Sequence, residues 1–462
     1  MNTRISLSLV VGASLIFQSL LLGGESVVRV ADIKPGPGSS YPSWLTAFGN
    51  ELVFRANIGV QDVELWKFDG TNASLISDIN PGPAGSSPSE LSVLNGVLYF
   101  NADITNGPRR LWKYDGTSTT PVTGLNPPYQ FYSGGSWKPI VFQGYLWYAA
   151  DAKMNIFDGK QFSYLNTPPW PQMEVVLWNN ALYYGAGTTD IELWRFNGTS
   201  QSLIANINPT ESAYPDRFCA FRNKLFFSAR DDTHGFELWS YDGSTTRMEA
   251  DIFPDTPFGN SSQPTDLTVF NNRLYFCADD SVHGFELWCF DGTNAWLAAD
   301  INTNAIYEIG GDKMSDSYPH KLTVWRNNLY FIASPVNWWR PGIWKFDGTN
   351  ASLVGGVSDD QVSELIVFKD RLYFDCDDGR FGRELWRVEP DAAPRVSLAR
   401  PANGVTIELT PAETGRYAVE ASSDLVTWTA IATNTTTNGA TMFINLDRTD
   451  HPTRAYRTVK LP

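Results

Sequence analysis

A block of eight residues, Glu-Leu-Trp, two variable residues and Asp-Gly-Thr, recurs along most of this chain. Its clearest copies are ELWKFDGT at Glu64, ELWRFNGT at Glu192, ELWSYDGS at Glu237 and ELWCFDGT at Glu286. Trp66 and Trp386, the tryptophans of the first and last copies, are seven repeats apart, so the mean period is about 46 residues. A period of this length is typical of a four-stranded propeller blade.

The most complete repeat extends from Leu267 to Ile301 and contains four short apolar runs. Asn271-Asn272 separates the first two runs and Asp291-Gly292 the last two. Asn, Asp and Gly tolerate the positive φ that tight hairpins need, so both junctions indicate β-turns. The junction between the second and third runs is longer and more polar. The unit is predicted to be a four-stranded antiparallel meander.

The two ends of the repeat region complement each other. Residues Val27 to Ile33 match the fourth strand of a unit, whereas the last repeat, ELWRVEP at Glu384, stops after its third strand. The first segment therefore supplies the strand that the last repeat lacks, and closure removes strand edges that would otherwise promote aggregation. We expect an all-β protein with an eight-bladed β-propeller closed by the N-terminal strand. A seven-bladed ring with one degenerate repeat outside it is the alternative.

These blocks resemble a bacterial repeat family known by its ELWxxDGT core and sometimes described as hyalin-like. The resemblance covers about Val27 to Trp386, with departures at Met154, in MNIFDG, and at Gly342, in GIWKFDGT. It implies a secreted propeller. It implies no reaction, because the family carries no assigned catalytic residues to transfer.

Three regions with different compositions divide the chain. Residues 1–24 are predicted to be a signal peptide, because Arg4 precedes an apolar stretch from Ile5 to Leu22 and small residues follow. Residues 25–390 form the predicted propeller. We therefore expect a secreted, cell-surface or periplasmic protein with no membrane span after signal removal; an uncleaved anchor is the alternative.

Residues 391–462 follow a joint rich in Pro and Ala and alternate strongly between apolar and polar residues. Runs such as VTIELT, RYAVEASS and TMFINLD predict a small C-terminal β-sandwich of about six strands. The segment YAVEASSDLVTWTAIATNT, with AYR near the end, resembles a C-terminal module of secreted proteins from Verrucomicrobia and related bacteria. This resemblance implies a fibronectin-like accessory domain.

The formal net charge of −15 disfavours a nucleic-acid partner, because phosphate binding relies on clustered Lys and Arg. Signatures such as HExxH, CxxC, GxSxG, the Walker loop and GxGxxG are absent from the sequence, so no cofactor and no metal are predicted. Paired acids such as Asp279-Asp280 are expected to cap turns. His234 and His283, in equivalent HGFELW blocks, are expected to be inherited with the repeat. The expected state is a monomer.

Cys277 and Cys289 flank the junction between the second and third runs of the most complete repeat. Equivalent positions elsewhere combine Ser with Ser, or an acid with a base, in the pairs Ser228/Ser240 and Asp375/Arg387. Such pairs are typical of facing cross-strand neighbours. In an exported protein the two cysteines are therefore predicted to form a disulfide, with a closed loop contributing up to ~3 kcal/mol.

Aromatic residues outside the repeated tryptophan column are the candidate ligand-binding residues. The repeated tryptophans are expected to pack between sheets. The first-to-second and third-to-fourth turns are short, which defines a turn face, whereas the variable connections share the opposite loop face. Aromatics and one arginine concentrate in these connections: Tyr129, Phe131, Tyr132, Trp137, Trp170, Trp338, Trp339 and Arg340. Exposed rings flanked by polar groups suit stacking on sugars, although packing at the loop bases is the alternative.

The favoured function is therefore that of an exported, non-enzymatic propeller that binds a glycan or a protein through its loop face. A hydrolase or lyase acting on polysaccharide is the first alternative, because propellers also host such sites. A purely structural surface component is the second. An acid pair converging at the channel mouth would favour the enzyme, and an aromatic patch would favour the binder.

Overall fold

A computed structural model of the chain describes most of the repeat region and the strands of the C-terminal region. The described residues are 25–59, 62–104, 107, 109–123, 139–150, 153–165, 171–253, 261–303, 306–307, 313–314, 316–335, 341–354, 362, 364–377, 382–389, 395–399, 404–410, 415–422, 429–436, 442–447 and 455–461. Throughout these ranges the regular secondary structure is β-strand, and none of it is a helix that could cross a membrane.

The first half of the repeat region forms the N-terminal strand and four blades. The N-terminal strand is β1 (Ser26–Ala31). Blade 1 contains β2 (Ser43–Phe48), β3 (Glu51–Asn57), β4 (Val63–Phe68) and β5 (Ala73–Ser77). Blade 2 contains β6 (Ser89–Leu94), β7 (Val97–Ala102), β8 (Arg110–Tyr114) and β9 (Thr119–Pro121). Blade 3 contains β10 (Ile140–Phe142), β11 (Tyr145–Ala150), β12 (Lys153–Phe157) and β13 (Phe162–Leu165). Blade 4 contains β14 (Pro171–Trp178), β15 (Ala181–Ala186), β16 (Glu192–Phe196) and β17 (Gln201–Ala205).

The second half forms four further blades and one small hairpin. Blade 5 contains β18 (Asp216–Phe221), β19 (Lys224–Asp231), β20 (Gly235–Tyr241) and β21 (Thr246–Ala250). Blade 6 contains β22 (Thr265–Phe270), β23 (Arg273–Ala278), β24 (Glu286–Phe290) and β25 (Ala295–Ala299). The hairpin between blades 6 and 7 pairs β26 (Ile306–Tyr307) with β27 (Lys313–Met314). Blade 7 contains β28 (His320–Trp325), β29 (Asn328–Ala333), β30 (Gly342–Phe346) and β31 (Ala351–Leu353). Blade 8 contains β32 (Leu365–Phe368), β33 (Arg371–Asp377) and β34 (Arg383–Glu389).

Eight four-stranded antiparallel sheets make the repeat region an eight-bladed β-propeller. The eighth sheet has the order β1-β34-β33-β32, so the N-terminal strand completes the last blade. The first strands of successive blades lie side by side, and β2 also contacts β32, which closes the ring. The eight-bladed prediction is confirmed, and the seven-bladed alternative is wrong.

The hydrophobic core consists of layers between adjacent blades. One layer combines Phe48 and Leu65 of blade 1 with Leu98 and Phe100 of blade 2, and similar layers join other neighbours. Trp288 and Trp386 are buried, but the other repeated tryptophans lie at the margins of these layers. Trp66 and Trp112, for example, are only partly buried, whereas the leucine before the tryptophan, such as Leu65, is fully buried. The Glu-Leu-Trp block therefore places its leucine, rather than its tryptophan, at the centre of the core.

The register of blade 6 corrects the disulfide prediction. Cys277 pairs with Leu287 and Cys289 pairs with Tyr275, so the two cysteines are diagonal rather than opposite. Both are buried free thiols in the structure. The predicted pairing was wrong by two residues, because β23 continues to Ala278 and pairs there with Glu286. A two-residue offset keeps both side chains on one face of the sheet but places the two residues about 7–8 Å apart, too far for a disulfide without backbone movement.

The C-terminal region contributes six strands in two sheets. They are β35 (Arg395–Ala399), β36 (Gly404–Thr410), β37 (Gly415–Ser422), β38 (Thr429–Thr436), β39 (Met442–Asp447) and β40 (Ala455–Leu461). One three-stranded sheet has the order β35-β36-β39 and the other β38-β37-β40. The chain divides into two compact units, one of which is Val28–Arg387, while the other includes Val388–Pro462.

Candidate functional site

The loop face is held together by the glutamate that begins the repeated block. In blade 5 the carboxylate of Glu237 is fully buried and accepts hydrogen bonds from the backbone N–H groups of Ile252 (2.9 Å), Phe253 (3.4 Å) and Ser262 (3.0 Å). The hydroxyl of Ser262 also donates to it, at 2.6 Å. One side chain therefore satisfies four donors of the connection that leads to blade 6, where an unpaired buried N–H would be costly.

The same arrangement recurs in four other blades, and we call these five glutamates the carboxylate clamps. They are Glu64, Glu192, Glu237, Glu286 and Glu384. In the first four, the first N–H bound belongs to the isoleucine 15 residues further along the chain. Glu384 binds the N-terminal segment instead, through the N–H of Ile33 (2.9 Å) and the hydroxyl of Ser40 (2.8 Å). The last clamp thus joins the two ends of the ring.

Burial raises the pKa of every clamp carboxyl. The pKa is about 7 for Glu192 and Glu237 and about 8 for Glu286, because loss of solvent outweighs the hydrogen bonds that favour the anion. Glu64 and Glu384 shift in the same direction for the same reason. Perturbed carboxyls can indicate catalytic sites, but here they are bound to backbone donors and serve a structural role.

The three blades without a clamp are the blades in which the predicted aromatic residues lie. Arg110, Lys153 and Gly342 occupy the clamp position in blades 2, 3 and 7. The aromatic connections follow blades 2 and 3 and directly precede Gly342 in blade 7. The predicted residues themselves, Tyr129, Phe131, Tyr132, Trp137, Trp170, Trp338, Trp339 and Arg340, lie outside the part of the chain that the structure describes.

The described part of the loop face contains an exposed aromatic residue that the sequence argument did not select. Tyr41 is 57% exposed and has a positive φ of 49°. Its equivalents Ser87, Tyr214, Gln263 and Tyr318 also have positive φ. The position tolerates Ser and Gln as well as Tyr, so an exposed ring at Tyr41 is not required by the loop conformation.

The exposure of Tyr41 follows from its neighbour in blade 8. Tyr318 stacks on Phe285 with ring centroids 4.9 Å apart, and its N–H donates to the carbonyl of Phe285. The N–H of Tyr41 donates to the carbonyl of Arg383, which occupies the place of that phenylalanine. The Arg383 guanidinium donates to Asp375, which is also buried. Tyr41 therefore lacks the phenylalanine that covers Tyr318.

Residues at the start of each inner strand form what we call the mouth ring. They stand four places before the residue that ends the first strand of a blade: Trp44, Glu90, Glu174, Arg217, Asp266, Lys321 and Glu364. Blades 2, 4, 6 and 8 carry an acid there, whereas blades 1, 5 and 7 carry Trp, Arg or Lys. The equivalent residue of blade 3 is Lys138, which lies outside the described ranges. The charge alternation has a period of two blades.

Two acids of this ring bind the backbone of the next blade. Asp266 accepts the N–H of Lys321 at 2.8 Å, and Glu364 accepts the N–H of Leu45 at 2.9 Å. A third acid, Glu90, is buried and accepts hydrogen bonds from Ser89 and Asn101 of its own blade. These three acids are therefore bound to the protein, whereas Arg217 and Lys321 are exposed to solvent.

One acid of the mouth ring has a second carboxylate beside it. The N–H of Glu174 donates to Asp216 at 2.9 Å, and Arg217 lies 3.5 Å from the other oxygen of Asp216. Burial raises the pKa of Glu174, and the charge of Asp216 raises it further. This junction of blades 4 and 5 is the position in the described blades where two acids converge at the mouth.

The opposite end of the inner strands is aliphatic. The residue before the last in these strands is always Ala, Val or Leu: Ala47, Val93, Val141, Leu177, Ala220, Val269, Val324 and Val367. Five of these side chains are 37–45% exposed: Val141, Leu177, Val269, Val324 and Val367. Because neighbouring blades cover both faces of each sheet, these side chains line the end of the channel near the turn face.

His234 and His283 each contact an aspartate of their own loop. Nδ1 of His234 lies 3.0 Å from Asp231, and Nδ1 of His283 lies 2.7 Å from Asp280. Asp280 also accepts the backbone N–H of His283 at 2.7 Å. Within the described ranges, no group of three or more His, Cys, Asp or Glu side chains has a geometry that could bind a metal ion.

Comparison with known proteins finds structural likeness only. No family model and no curated protein matches the sequence. A computationally designed protein, Ika8, matches with a TM-score of 0.46 and 16% identity over 78% of this chain and 99% of its own. Puromycin hydrolase matches with a TM-score of 0.39 and 13% identity over 83% of this chain, and oligopeptidase B from Leishmania major with 0.41 and 9% over 77%. This chain spans 61% and 53% of those two enzymes.

Proposed function

We propose that this protein is an exported, non-enzymatic propeller that binds a glycan, or a protein, through its loop face outside the cytoplasm. The supporting observation is the exposed ring of Tyr41, three residues before Trp44 of the mouth ring, at a position where the fold accepts Ser or Gln. A planar exposed ring suits stacking on the apolar face of a sugar. The sequence predicts that the aromatics of the unclamped blades lie on the same face.

The state of the buried acids supports a binding role. The five clamps bind backbone N–H groups, Asp375 binds Arg383, and Glu90 accepts hydrogen bonds from Ser89 and Asn101. A general acid or base must reach substrate, and these carboxylates are turned toward the protein instead. The exposed groups at the channel mouth are the aromatic ring of Tyr41 and the cations of Arg217 and Lys321. Such groups can bind a ligand without catalysing a reaction.

The test is a glycan array followed by titration calorimetry with the best ligand. Replacing Tyr41 by Ser gives the residue that blade 2 carries at this position, so the loop conformation is retained. We expect Y41S to bind about five- to thirtyfold more weakly, the loss of one stacking contact of about 1–2 kcal/mol. The matched control is Y164S, which removes the exposed ring of Tyr164 from the outer strand of blade 3.

A second variant tests the aromatic residues predicted from the sequence. If Trp338 and Trp339 contribute to the same site, the double alanine variant loses binding as Y41S does. Unchanged affinity in both variants would show that the loop face is not the ligand-binding site. Absence of any glycan or protein ligand would favour the purely structural role.

The proposed export depends on residues 1–24. Expression of the full-length chain with a C-terminal tag in a Gram-negative host, followed by intact-mass analysis of the exported fraction, should give a chain that begins near Glu25. Retention of residues 1–24 on a membrane-bound product would support the uncleaved anchor instead.

A polysaccharide hydrolase or lyase is the second candidate, and the Glu174–Asp216 pair is the observation that favours it. A carboxyl with a raised pKa beside a second carboxyl is the arrangement that acid–base catalysis uses. Polysaccharides that bind should be incubated with the protein and assayed for new reducing ends and for unsaturated products. Turnover that E174Q abolishes while binding persists would replace the binding proposal. Stable ligand in both proteins would exclude this candidate.

A further inference from the structure

The turn face carries long side chains that reach from one blade to the next. Arg222, in the first turn of blade 5, donates to the carbonyl of Asn272 in blade 6 at 3.2 Å. Arg326, at the equivalent place in blade 7, forms an ion pair with Asp370 in blade 8. Each guanidinium lies over the ring of the preceding residue, 5.0 Å from Phe221 and 5.2 Å from Trp325. The two arginines are therefore positioned in the same way.

The cleft between blades 5 and 6 is a polar pocket of about 680 Å³. Its lining residues are Arg222, Asn271, Asn272, Arg273, Asp291 and Thr293. Arg273 lies over the ring of Trp296, with its guanidinium carbon 5.4 Å from the centroid. Both arginines are thus held by protein contacts and remain exposed, which limits the entropy lost when they bind a ligand.

The acid in this pocket is already bound to the backbone. Asp291 accepts the N–H groups of Thr293 (2.8 Å) and Asn294 (2.9 Å), as expected of the aspartate in an Asp-Gly turn. The ion pairs formed within the described blades include neither Arg222 nor Arg273. Two guanidinium groups and one carboxylate leave the pocket with an excess of positive charge.

The cleft between blades 7 and 8 has arginines at the same two positions, Arg326 and Arg371, but the ion pair with Asp370 neutralises Arg326. Its turn contains Lys369, Asp370 and Arg371 where blade 6 has Asn271, Asn272 and Arg273. Asp370 has φ 54° and Asn272 has φ 57°, so the two residues occupy the same backbone conformation. The difference between the clefts at this position is a carboxylate in place of an amide.

We propose that the turn-face pocket between blades 5 and 6 binds an oxyanion, either a carboxylate or a sulfate group. Arg222 and Arg273 supply planar guanidinium groups, whose N–H donors match the oxygens of such anions. Thr293 and the side-chain amides of Asn271 and Asn272 supply neutral donors around them. This pocket lies on the face opposite to Tyr41 and does not depend on the proposed function of the loop face.

The experiment is a titration of the full mature chain with three probes at constant ionic strength. Inorganic sulfate tests the free anion, a galacturonate tetramer tests the anion carried by an acidic sugar, and its methyl ester tests the sugar without charge. Binding is followed by calorimetry and by the backbone amide resonances of Asn272 and Thr293. We expect sulfate or the tetramer to bind with a stoichiometry of one, and the methyl ester to bind at least tenfold more weakly than the tetramer.

Three variants make the test specific. N272D introduces the carboxylate that blade 8 carries, at a position whose backbone suits Asp, and should weaken anion binding at least tenfold. R222Q/R273Q should remove binding, whereas K113Q/K160Q removes the same charge from elsewhere on the molecule and should change affinity less than twofold.

Three results would overturn the proposal. The first is that neither charged probe binds, and the second is equal affinity for the tetramer and its methyl ester. The third is unchanged anion affinity in N272D or in R222Q/R273Q, with unfolding midpoints equal to that of the parent chain.

Discussion

Blades 5 and 2 share one four-strand plan but differ at the first residue of the repeated block, which is Glu237 in blade 5 and Arg110 in blade 2. The outer strand of blade 5 has five residues and a bulge opposite Leu238 and Trp239, whereas that of blade 2 has three residues and a continuous register. The outer strands of clamped blades 1, 4 and 6 also have five residues, whereas those of unclamped blades 3 and 7 have four and three. The clamp carboxylate therefore extends the outer strand and fixes the connection after it.

This difference separates scaffold from variable surface. Where a carboxylate binds the connection, the connection repeats a short pattern, with a Ser such as Ser86 or Ser262 at the point of contact. Where the carboxylate is missing, that constraint is absent. Aromatic insertions follow blades 2 and 3 in the sequence, and in blade 7 the insertion precedes Gly342. The repeated block thus specifies the ring, and the blades that depart from it carry the predicted aromatic residues.

The largest effect should come from breaking the clamp that joins the chain ends. Deleting residues 25–33 removes β1 and the N–H of Ile33, so that Glu384 loses one of its donors and the edge of β34 is left unpaired. We expect loss of the soluble monomer, because an open strand edge promotes association. Size-exclusion chromatography of the truncated and mature chains is the measurement. A monomeric truncated chain with an unchanged unfolding midpoint would show that ring closure contributes little.

Removing a single clamp should have the next largest effect. E237A leaves three buried N–H groups and one hydroxyl without their acceptor, and we expect about 3–4 kcal/mol of destabilisation. The matched control is R110A, the same position in an unclamped blade, with an expected cost below about 1 kcal/mol. Urea unfolding, compared at constant m-value, measures both. Equal costs for the two variants would remove the distinction between clamped and unclamped blades.

The pH dependence of stability should show the combined contribution of the carboxylate clamps. In the folded chain the pKa values of Glu192, Glu237 and Glu286 are about 7 to 8, above the ordinary value of 4.5. Between pH 4.5 and pH 8 the folded chain therefore binds more protons than the unfolded chain. Their contribution is complete below about pH 4.5 and is lost as pH rises through 7 to 8. The unfolding temperature should therefore fall between pH 6 and pH 9. E286Q should flatten the profile, whereas R110Q should leave it parallel to that of the parent chain.

The smallest effect concerns the cysteines of blade 6, where the register separates Cys277 from Cys289. Reductant should shift the unfolding temperature by less than about 1 °C, because no closed loop restrains the unfolded chain. Alkylation after unfolding without reductant should modify both thiols. A linked peptide pair in the mass spectrum would mean that blade 6 adopts a different register in solution.

The candidate site was only partly predictable from the sequence. In four of the five clamps the first contact spans 15 residues, from Glu237 to Ile252 for example, and this fixed spacing could have revealed the clamps. The charge alternation of the mouth ring could likewise have been found by aligning the residues before each inner strand. The exposure of Tyr41 could not, because it depends on Arg383 in the blade that the chain reaches last.

The sequence by itself determined the number of blades and the closure of the ring. Turn residues and apolar runs are local signals, and each occurs often enough here to be counted, so the spare strand at Val27 and the missing strand after Glu384 could be matched. The tertiary structure decided which side chains meet. Facing residues in neighbouring strands depend on how far each strand extends into the middle connection, and a difference of two residues separated Cys277 from Cys289. Burial also changed the meaning of the repeated block, because the glutamate that looks like a surface residue in the sequence is the group around which each clamped connection folds.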